Sequence, residues 1–392
     1  MPYEVNLEKR TVSISTNPYS IYGFYQLNGF SFSKEIITRY ILSLMTKQFV
    51  ILTGISGTGK TKIAQIFARY ALQDYSAEEQ EQYIAFVPVR PDWMDKKGLI
   101  GFFNILDEKY SAPHVLRVLL SARDKPEIPH FIILDEMNLA KVEHYFSDFL
   151  SILESRTKDK PDGETLYLHD RQSAQTTDGL EIPGKMHISA NVYFTGTVNV
   201  DESTYMFSPK VLDRANVLEF NDVFLDPESF VDQGSKFQLV NDQVIEALKV
   251  EALNQFCSRN DLLELRQELP QAIQVLGQLL YILKEYNMHF GYRVINEISR
   301  YVLLAKKYVD GFDSDSVLDI QILQKILPKF HGTQAKLEGP LNDILAFSFG
   351  RNEPSNAVNN TDIEKAKFPR TAKKIQSMLS SLETQGYADF IE

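Results

Sequence analysis

The chain has 392 residues, of which 44% are hydrophobic and 24% charged, and this suits a globular protein of two or three domains. Its net charge of −11 argues against a broad basic face for DNA, and no apolar run approaches the roughly 20 residues that span a bilayer. The single cysteine, Cys257, excludes an internal disulfide, and the polar start of the chain carries no signal-peptide pattern, so we expect a cytoplasmic protein.

The first half of the chain predicts strands that alternate with helices. Val12 and Ile14 alternate with polar residues as in a strand, an aromatic stretch with turn residues follows, and Ser33 is placed to cap a helix. Buried strands are predicted at 49–52, 84–89, 131–134 and 192–195, and helices at 34–46, after the glycine-rich turn, at 115–122 and at 143–154. This alternation predicts an α/β fold with a parallel sheet covered by helices on both faces.

The second half of the chain has a different pattern. Residues 240–310 form a nearly continuous helical pattern, and 317–347 and 370–385 predict further helices. Residues 155–187 indicate an inserted hairpin or loop, and 350–362, rich in Asn and Ser, resemble a linker.

The segment from Gly54 to Thr61 matches the phosphate-binding pattern G-x-x-x-x-G-K-[ST] in full. Its glycines let backbone N–H groups point at phosphates, Lys60 would reach the β- and γ-phosphates, and Thr61 would offer a hydroxyl to Mg²⁺. A chance match in a loop is the alternative, and the predicted strand before and helix after the segment argue against it. The other predicted phosphate-binding residues are Gly54, Ser56, Gly57, Thr58 and Gly59.

Two acids end the apolar strand at 131–134. Asp135 would hold Mg²⁺, and Glu136 would polarise the attacking water as a general base. Alone, such a strand end is as often a pair of solvated acids. Because it follows a complete phosphate-binding segment, the catalytic interpretation is favoured.

The run from Phe194 to Asn199 resembles the sensor strand of AAA+ proteins, in which Asn199 would bond the γ-phosphate or the attacking water. Further on, Arg214 matches the place of an arginine finger, which reaches into the site of a neighbouring subunit. An ordinary helix-face arginine is the alternative for Arg214. The resemblance therefore implies a homo-oligomeric ring, expected to be a hexamer.

The sequence of residues 135–140, Asp-Glu-Met-Asn-Leu-Ala, resembles the Walker B region of the McrB-like motor subunits of modification-dependent restriction systems. The segment 199–202 resembles the signature that accompanies GTP preference in that family, but Glu202 stands where the family has Asp, so GTP and ATP both stay open. Residues 290–297 resemble the start of a lid helix with a second sensor, and this implies that Arg293 touches the γ-phosphate; Arg300 is a weaker candidate. A plain solvent-facing role is the alternative for both arginines.

The resemblance implies an AAA+ architecture in four segments. These are a lead-in at 1–34, an α/β nucleotide-binding core at 35–226, an α-helical lid at 227–345 and a helical tail at 346–392. The tail resembles those of McrB-like proteins that work with a McrC-like nuclease, while the lead-in is too short for a separate DNA-reading domain.

The leading expectation is therefore a nucleoside triphosphatase that hydrolyses GTP or ATP with Mg²⁺ and drives a partner nuclease in DNA restriction or phage defence. DNA would be contacted through the complex, and no membrane is involved. The alternative is a MoxR-like chaperone that remodels a protein client with ATP, and a third option is a regulatory nucleotide switch with little turnover.

Overall fold

The computed structural model describes residues 20–157, 160, 163–200, 205–221, 237–240, 246–248, 256–350 and 360–391. The chain divides into two compact units, one formed by Met1–Arg214 with Leu218–Phe256 and the other by Ala215–Val217 with Cys257–Glu392. The predicted strand around Val12 and most of the linker-like segment lie outside the described residues. The four-segment scheme stays a prediction.

A five-stranded sheet forms the centre of the first unit. Its strands in chain order are β1 (Phe49–Gly54), β2 (Ile84–Pro88), β3 (His130–Asp135), β4 (Val192–Asn199) and β5 (Asn216–Glu219). They lie side by side in the order β5-β1-β4-β3-β2, and the pairs β1–β4, β4–β3 and β3–β2 are parallel. The predicted α/β fold with a parallel sheet is confirmed.

Burial along the strands follows their place in the sheet. All residues of β1 and β4 are buried, as expected for central strands with both faces covered. In the edge strand β2 only Ala85 is fully buried, and Phe86 is 43% exposed. The continuous apolar runs in the sequence therefore mark the middle of the sheet.

The long helices of the first unit surround this sheet. Ser33 caps α2 by accepting a hydrogen bond from the Ile36 N–H, so this predicted start is confirmed. The first part of the aromatic stretch before it forms a helix, which Ser20 caps and in which Phe24 packs against Tyr70, whereas Phe30 and Phe32 follow this helix in irregular structure. The helices are α1 (Ile21–Leu27), α2 (Lys34–Thr46), α3 (Lys60–Ala71), α4 (His114–Asp124) and α5 (Ser147–Ser155), with single turns at Ala77–Gln80, Lys97–Ile100, Met137–Leu139, Val142–Tyr145 and Pro209–Leu212.

The helix predicted at 143–154 is interrupted. It divides at Phe146, whose backbone leaves the helical region with φ −115° and ψ 3°. The Phe146 ring is fully buried and stacks on Phe149 at a centroid distance of 4.9 Å, with Phe194 edge-on to it. Packing of this aromatic cluster overrides the helical periodicity.

The described part of the predicted insert after α5 consists of short antiparallel strands. Leu166–Tyr167 pairs with Lys185–Met186, and Ser173–Gln175 pairs with Glu181–Pro183. A further hairpin, Phe102–Asn104 with Lys109–Ser111, precedes α4. The hairpin interpretation of this region is therefore confirmed for the described residues.

The second unit is mainly helical, as the sequence predicts. Its helices are α6 (Arg259–Glu268), α7 (Pro270–Glu285), α8 (Tyr292–Tyr308), α9 (Ser314–Gln321), α10 (Gln334–Ser348) and α11 (Pro369–Gln385), with a short 3₁₀ segment at Asn360–Lys365. The remaining short strands of the described residues are Gln238–Leu239, Val309–Asp310, and the antiparallel pair His331–Thr333 and Tyr387–Asp389.

The helical pattern predicted at 317–347 is interrupted in the structure. After α9 the chain forms a π-helical turn, Ile322–Ile326, and a 3₁₀ turn, Leu327–Lys329, before the strand at 331–333. Pro328 lacks the N–H that a continuing α-helix needs, and Gly332 has a φ of 147° that ordinary helices exclude.

Buried charge marks this irregular segment. The Lys325 side chain has no exposed surface, its Nζ lies 2.5 Å from a carboxylate oxygen of Glu297, and it donates a hydrogen bond of 2.9 Å to the Ala215 carbonyl. Asp319, also fully buried, accepts hydrogen bonds from the backbone N–H groups of Arg370 and Thr371 and so caps α11. These polar contacts hold the second unit together where helical geometry fails.

Among the residues that the structure describes, no helix is long and apolar enough to cross a bilayer.

His130, at the start of β3, should make the stability of the fold depend on pH. Its Nδ1 donates to the Ile128 carbonyl at 2.8 Å, so Nε2 accepts from the Ser121 hydroxyl at 3.0 Å, and the ring is fully buried. Burial lowers the pKa of His130 to about 4 from the ordinary 6.5.

Above pH 6.5 His130 is neutral in both states and its contribution to stability is complete. As the pH falls from 6.5 towards about 4, only the unfolded chain takes up this proton, so the unfolding free energy falls by at most about 1.4 kcal/mol per pH unit. We expect His130→Gln to reduce this slope in denaturant titrations at pH 7 and pH 5. The exposed His187→Gln is the control, and an unchanged slope in His130→Gln would contradict the assignment.

Candidate functional site

The loop between β1 and α3 has the shape that the phosphate-binding pattern requires. Gly59 adopts a left-handed conformation with φ 91°, and α3 begins at Lys60 directly after it. The Lys60 side chain is buried and its Nζ donates to the Gly54 and Ile55 carbonyls at 2.8 and 2.5 Å. The lysine ammonium therefore lies inside the loop, at the positive N-terminus of α3.

Two glycines of this loop are required by space and by conformation. A Cβ on Gly54, whose φ is 145°, would lie 2.4 Å from the Phe220 carbonyl oxygen. A Cβ on Gly59 would lie 2.9 Å from the Phe32 ring. Phe32 belongs to the aromatic stretch that precedes α2, so this stretch closes one side of the loop.

Thr61 and Asp135 lie in contact at the side of the sheet where the parallel strands have their carboxyl ends. The Thr61 hydroxyl donates to Asp135 Oδ1 at 2.6 Å, although the two residues are far apart in the sequence. The Thr197 hydroxyl donates to the same oxygen at 2.9 Å. The parallel register explains the meeting, because β1, β4 and β3 all end at this edge, with Gly54 opposite Asn199.

Glu136 follows Asp135 in a left-handed backbone conformation, with φ 51° and ψ 50°. Its N–H donates to the Thr197 hydroxyl at 3.0 Å, and its Oε1 accepts from the Asn199 side-chain amide at 3.0 Å. Asn199 is 8% exposed and Glu136 is half-buried, so the carboxylate is oriented by a neighbour and still reachable. A strained conformation at a polar edge is typical of functional sites.

These groups fit a magnesium-bound triphosphate. Mg²⁺ takes oxygen ligands, and a hydroxyl and a carboxylate oxygen 2.6 Å apart are the donor set that the predicted roles of Thr61 and Asp135 need. Backbone N–H groups of the loop, Lys60 and the start of α3 supply positive charge for phosphate beside them.

The predicted finger and second-sensor arginines belong to other elements of the chain. Arg214 follows the single helical turn Pro209–Leu212 and pairs with Glu154 of its own chain. Arg293 lies in the first turn of α8 in the second unit, while Arg300 is 6% exposed and its guanidinium lies 3.7 Å from Asp261, so Arg300 does not face solvent. Glu202, the departure from the GTP-associated signature, lies outside the described residues.

Sequence reasoning missed Thr197 and Glu154. Thr197 bonds both Asp135 and Glu136, and its signal was available, because it lies two positions before Asn199 and residues two apart share a face of a strand. Glu154 carries no such signal, since its partner Arg214 is 60 positions away.

An open cavity of about 320 Å³ lies apart from these residues. Trp93, Met94 and Phe102 line it together with Asp92 and Asp95, and none of the predicted site residues is among its lining residues. Trp93 itself packs edge-on against Tyr145 at a centroid distance of 5.3 Å, so its ring contributes to packing beside this cavity.

Comparisons with known proteins give a family match for part of the chain and a structural similarity. Residues 245–387 match the family described as a domain of unknown function (DUF8727), and no curated protein matches the chain. Among solved structures, the crystal structure of a presumed ATPase from Cytophaga hutchinsonii has a TM-score of 0.36 and 17% identity, over 71% of this chain and 76% of that chain.

Asp135→Asn should weaken binding of magnesium nucleotide about 10- to 100-fold while the fold persists. The amide oxygen of Asn can still accept from Thr61 and Thr197, but the charge that attracts Mg²⁺ is gone. Titration of a fluorescent nucleotide with and without Mg²⁺ measures this. The exposed Asp92→Asn is the control, and unchanged magnesium dependence in Asp135→Asn would exclude Asp135 from the metal site.

Proposed function

We propose that this chain is a nucleoside triphosphatase of the AAA+ class, which binds ATP or GTP with Mg²⁺ and hydrolyses it. The observation that carries the proposal is the 2.6 Å hydrogen bond between Thr61 and Asp135, beside a complete phosphate-binding loop. A mere nucleotide switch would not need Glu136 at the same edge, held by Asn199 at 3.0 Å.

The proposed division of roles follows from these contacts. Lys60 and the loop N–H groups bind the β- and γ-phosphates, and Thr61 and Asp135 would hold Mg²⁺, which would neutralise charge on the phosphates when bound. Glu136 accepts a proton from the attacking water, and Asn199 keeps the Glu136 carboxylate oriented and faces the γ-phosphate. Arg293 as a second sensor remains part of the proposal on family resemblance.

The proposal includes a ring of identical subunits, expected to be a hexamer. An arginine finger acts on the nucleotide of a neighbour, so a role for Arg214 requires such an assembly. The proposed biological role is that of the McrB-like motor in a restriction or phage-defence complex in the cytoplasm, with a McrC-like nuclease as partner and DNA bound through the complex. A MoxR-like chaperone that acts on a protein client is the alternative.

Glu136→Gln tests the chemistry. Glutamine has the size of glutamate and can still accept from Asn199, but it cannot accept a proton from water. We expect nucleotide binding to persist and turnover to fall about 100- to 10,000-fold, measured as phosphate release by the purified protein.

Glu108→Gln is the matched control for this variant. Glu108 is exposed and also has a left-handed backbone, with φ 52° against 51° at Glu136. Any loss of stability from placing glutamine in this backbone conformation should therefore occur in both variants. Turnover in Glu136→Gln equal to that in Glu108→Gln would remove Glu136 as the base.

Rates of ATP and GTP hydrolysis, measured side by side, test the biological role. We expect turnover to rise when double-stranded DNA or a McrC-like nuclease is added, with Glu136→Gln protein as the blank. Stimulation by a protein client alone, and only with ATP, would favour the chaperone. Absence of nucleotide binding under all these conditions would overturn the triphosphatase proposal itself.

A further inference from the structure

The guanidinium of Arg214 is held within its own chain. Its Nη1 donates to the Lys210 carbonyl at 2.6 Å, and its Nη2 forms a close ion pair with the Glu154 carboxylate. Only 18% of the Arg214 side chain is exposed. A finger must project towards another subunit, so this arrangement is a withdrawn one.

Glu154 is well placed to hold the arginine back. It lies in the last turn of α5, and its side chain is 37% exposed, so it sits at the surface while Arg214 is mostly covered. Burial lowers the pKa of Arg214, which reflects the cost of covering a guanidinium, and the nearby carboxylate offsets that cost.

We propose that Glu154 is a positioning residue for Arg214, which retains the guanidinium on its own subunit until the γ-phosphate on a neighbouring copy displaces the Glu154 carboxylate. Carboxylate and phosphate are alternative partners for the planar donor fork of arginine, so one can replace the other. This inference rests on the proposed function, because it assumes that Arg214 acts on a neighbour's nucleotide.

A purely structural ion pair makes a different prediction. A partly exposed pair contributes little to stability, and its loss would change the melting temperature slightly and turnover not at all. Retention of the finger instead predicts a change in turnover that depends on Arg214 and on assembly. A double-mutant cycle on Glu154 and Arg214 distinguishes a purely structural ion pair from retention of the finger.

The experiment uses the full chain as wild type, Glu154→Gln, Arg214→Ala and the double variant. Turnover is measured over a range of protein concentrations, and thermal melting reports on folding. We expect Arg214→Ala to lose at least about 100-fold in turnover with nucleotide binding retained. Glu154→Gln should raise turnover roughly two- to fivefold at protein concentrations below full assembly, and this gain should be absent in the double variant.

Asp148→Asn is the matched control. Asp148 lies on the same helix, pairs with Lys96 at 2.6 Å and does not contact Arg214, so its turnover should equal that of the wild type. Glu154→Asp, which keeps the charge, should return turnover towards the wild-type value.

The other possible results distinguish failure of the Glu154 inference from failure of the proposed function. Unchanged or lower turnover in Glu154→Gln, with Arg214→Ala inactive, overturns the role of Glu154 and leaves the proposed function standing. Full turnover in Arg214→Ala removes the finger from the proposed function, and the role of Glu154 falls with it. An equal gain with and without Arg214 also overturns the inference.

Discussion

The hydrogen bond from the Thr61 hydroxyl to the Asp135 carboxylate is the contact on which the candidate site depends. It joins the first turn of α3, the helix after the phosphate-binding loop, to the end of β3. In the sheet, β3 is separated by one strand from β1, which precedes the loop. The strand between β1 and β3 is β4, and its Thr197 hydroxyl donates a second hydrogen bond to the same oxygen of Asp135. The relative positions of the candidate metal-binding and phosphate-binding groups are therefore set by strand order, and a change in sheet topology would separate these groups.

The sequence was informative wherever a local rule decides structure. Ser33 caps its helix as predicted, and the buried runs before Gly54 and Asp135 form two strands of one parallel sheet. It failed where distant contacts decide. The break at Phe146 follows from an aromatic cluster assembled from separate segments, and no periodicity within 143–154 reveals it.

The second unit shows the same limit more strongly. Its helices were predictable from apolar spacing, but the burial of Lys325 beside Glu297 was not, because isolated sequence patterns place lysine at the surface. This pair anchors the Ala215 carbonyl, one residue after the candidate finger, through the π-helical turn. The segment that matches a family of unknown function thus contains a polar core of its own.

The left-handed backbone at Glu136 limits which residues that position can accept. In a continuing strand, neighbouring side chains point to opposite faces, so the bend lets two consecutive acids serve one edge. Glycine, asparagine and aspartate tolerate this conformation best, yet all are shorter than glutamate. Side-chain length is thus retained against a local conformational penalty of roughly 1–2 kcal/mol. A β-branched replacement would be disfavoured by the main chain itself, so backbone conformation and side-chain length constrain this position independently.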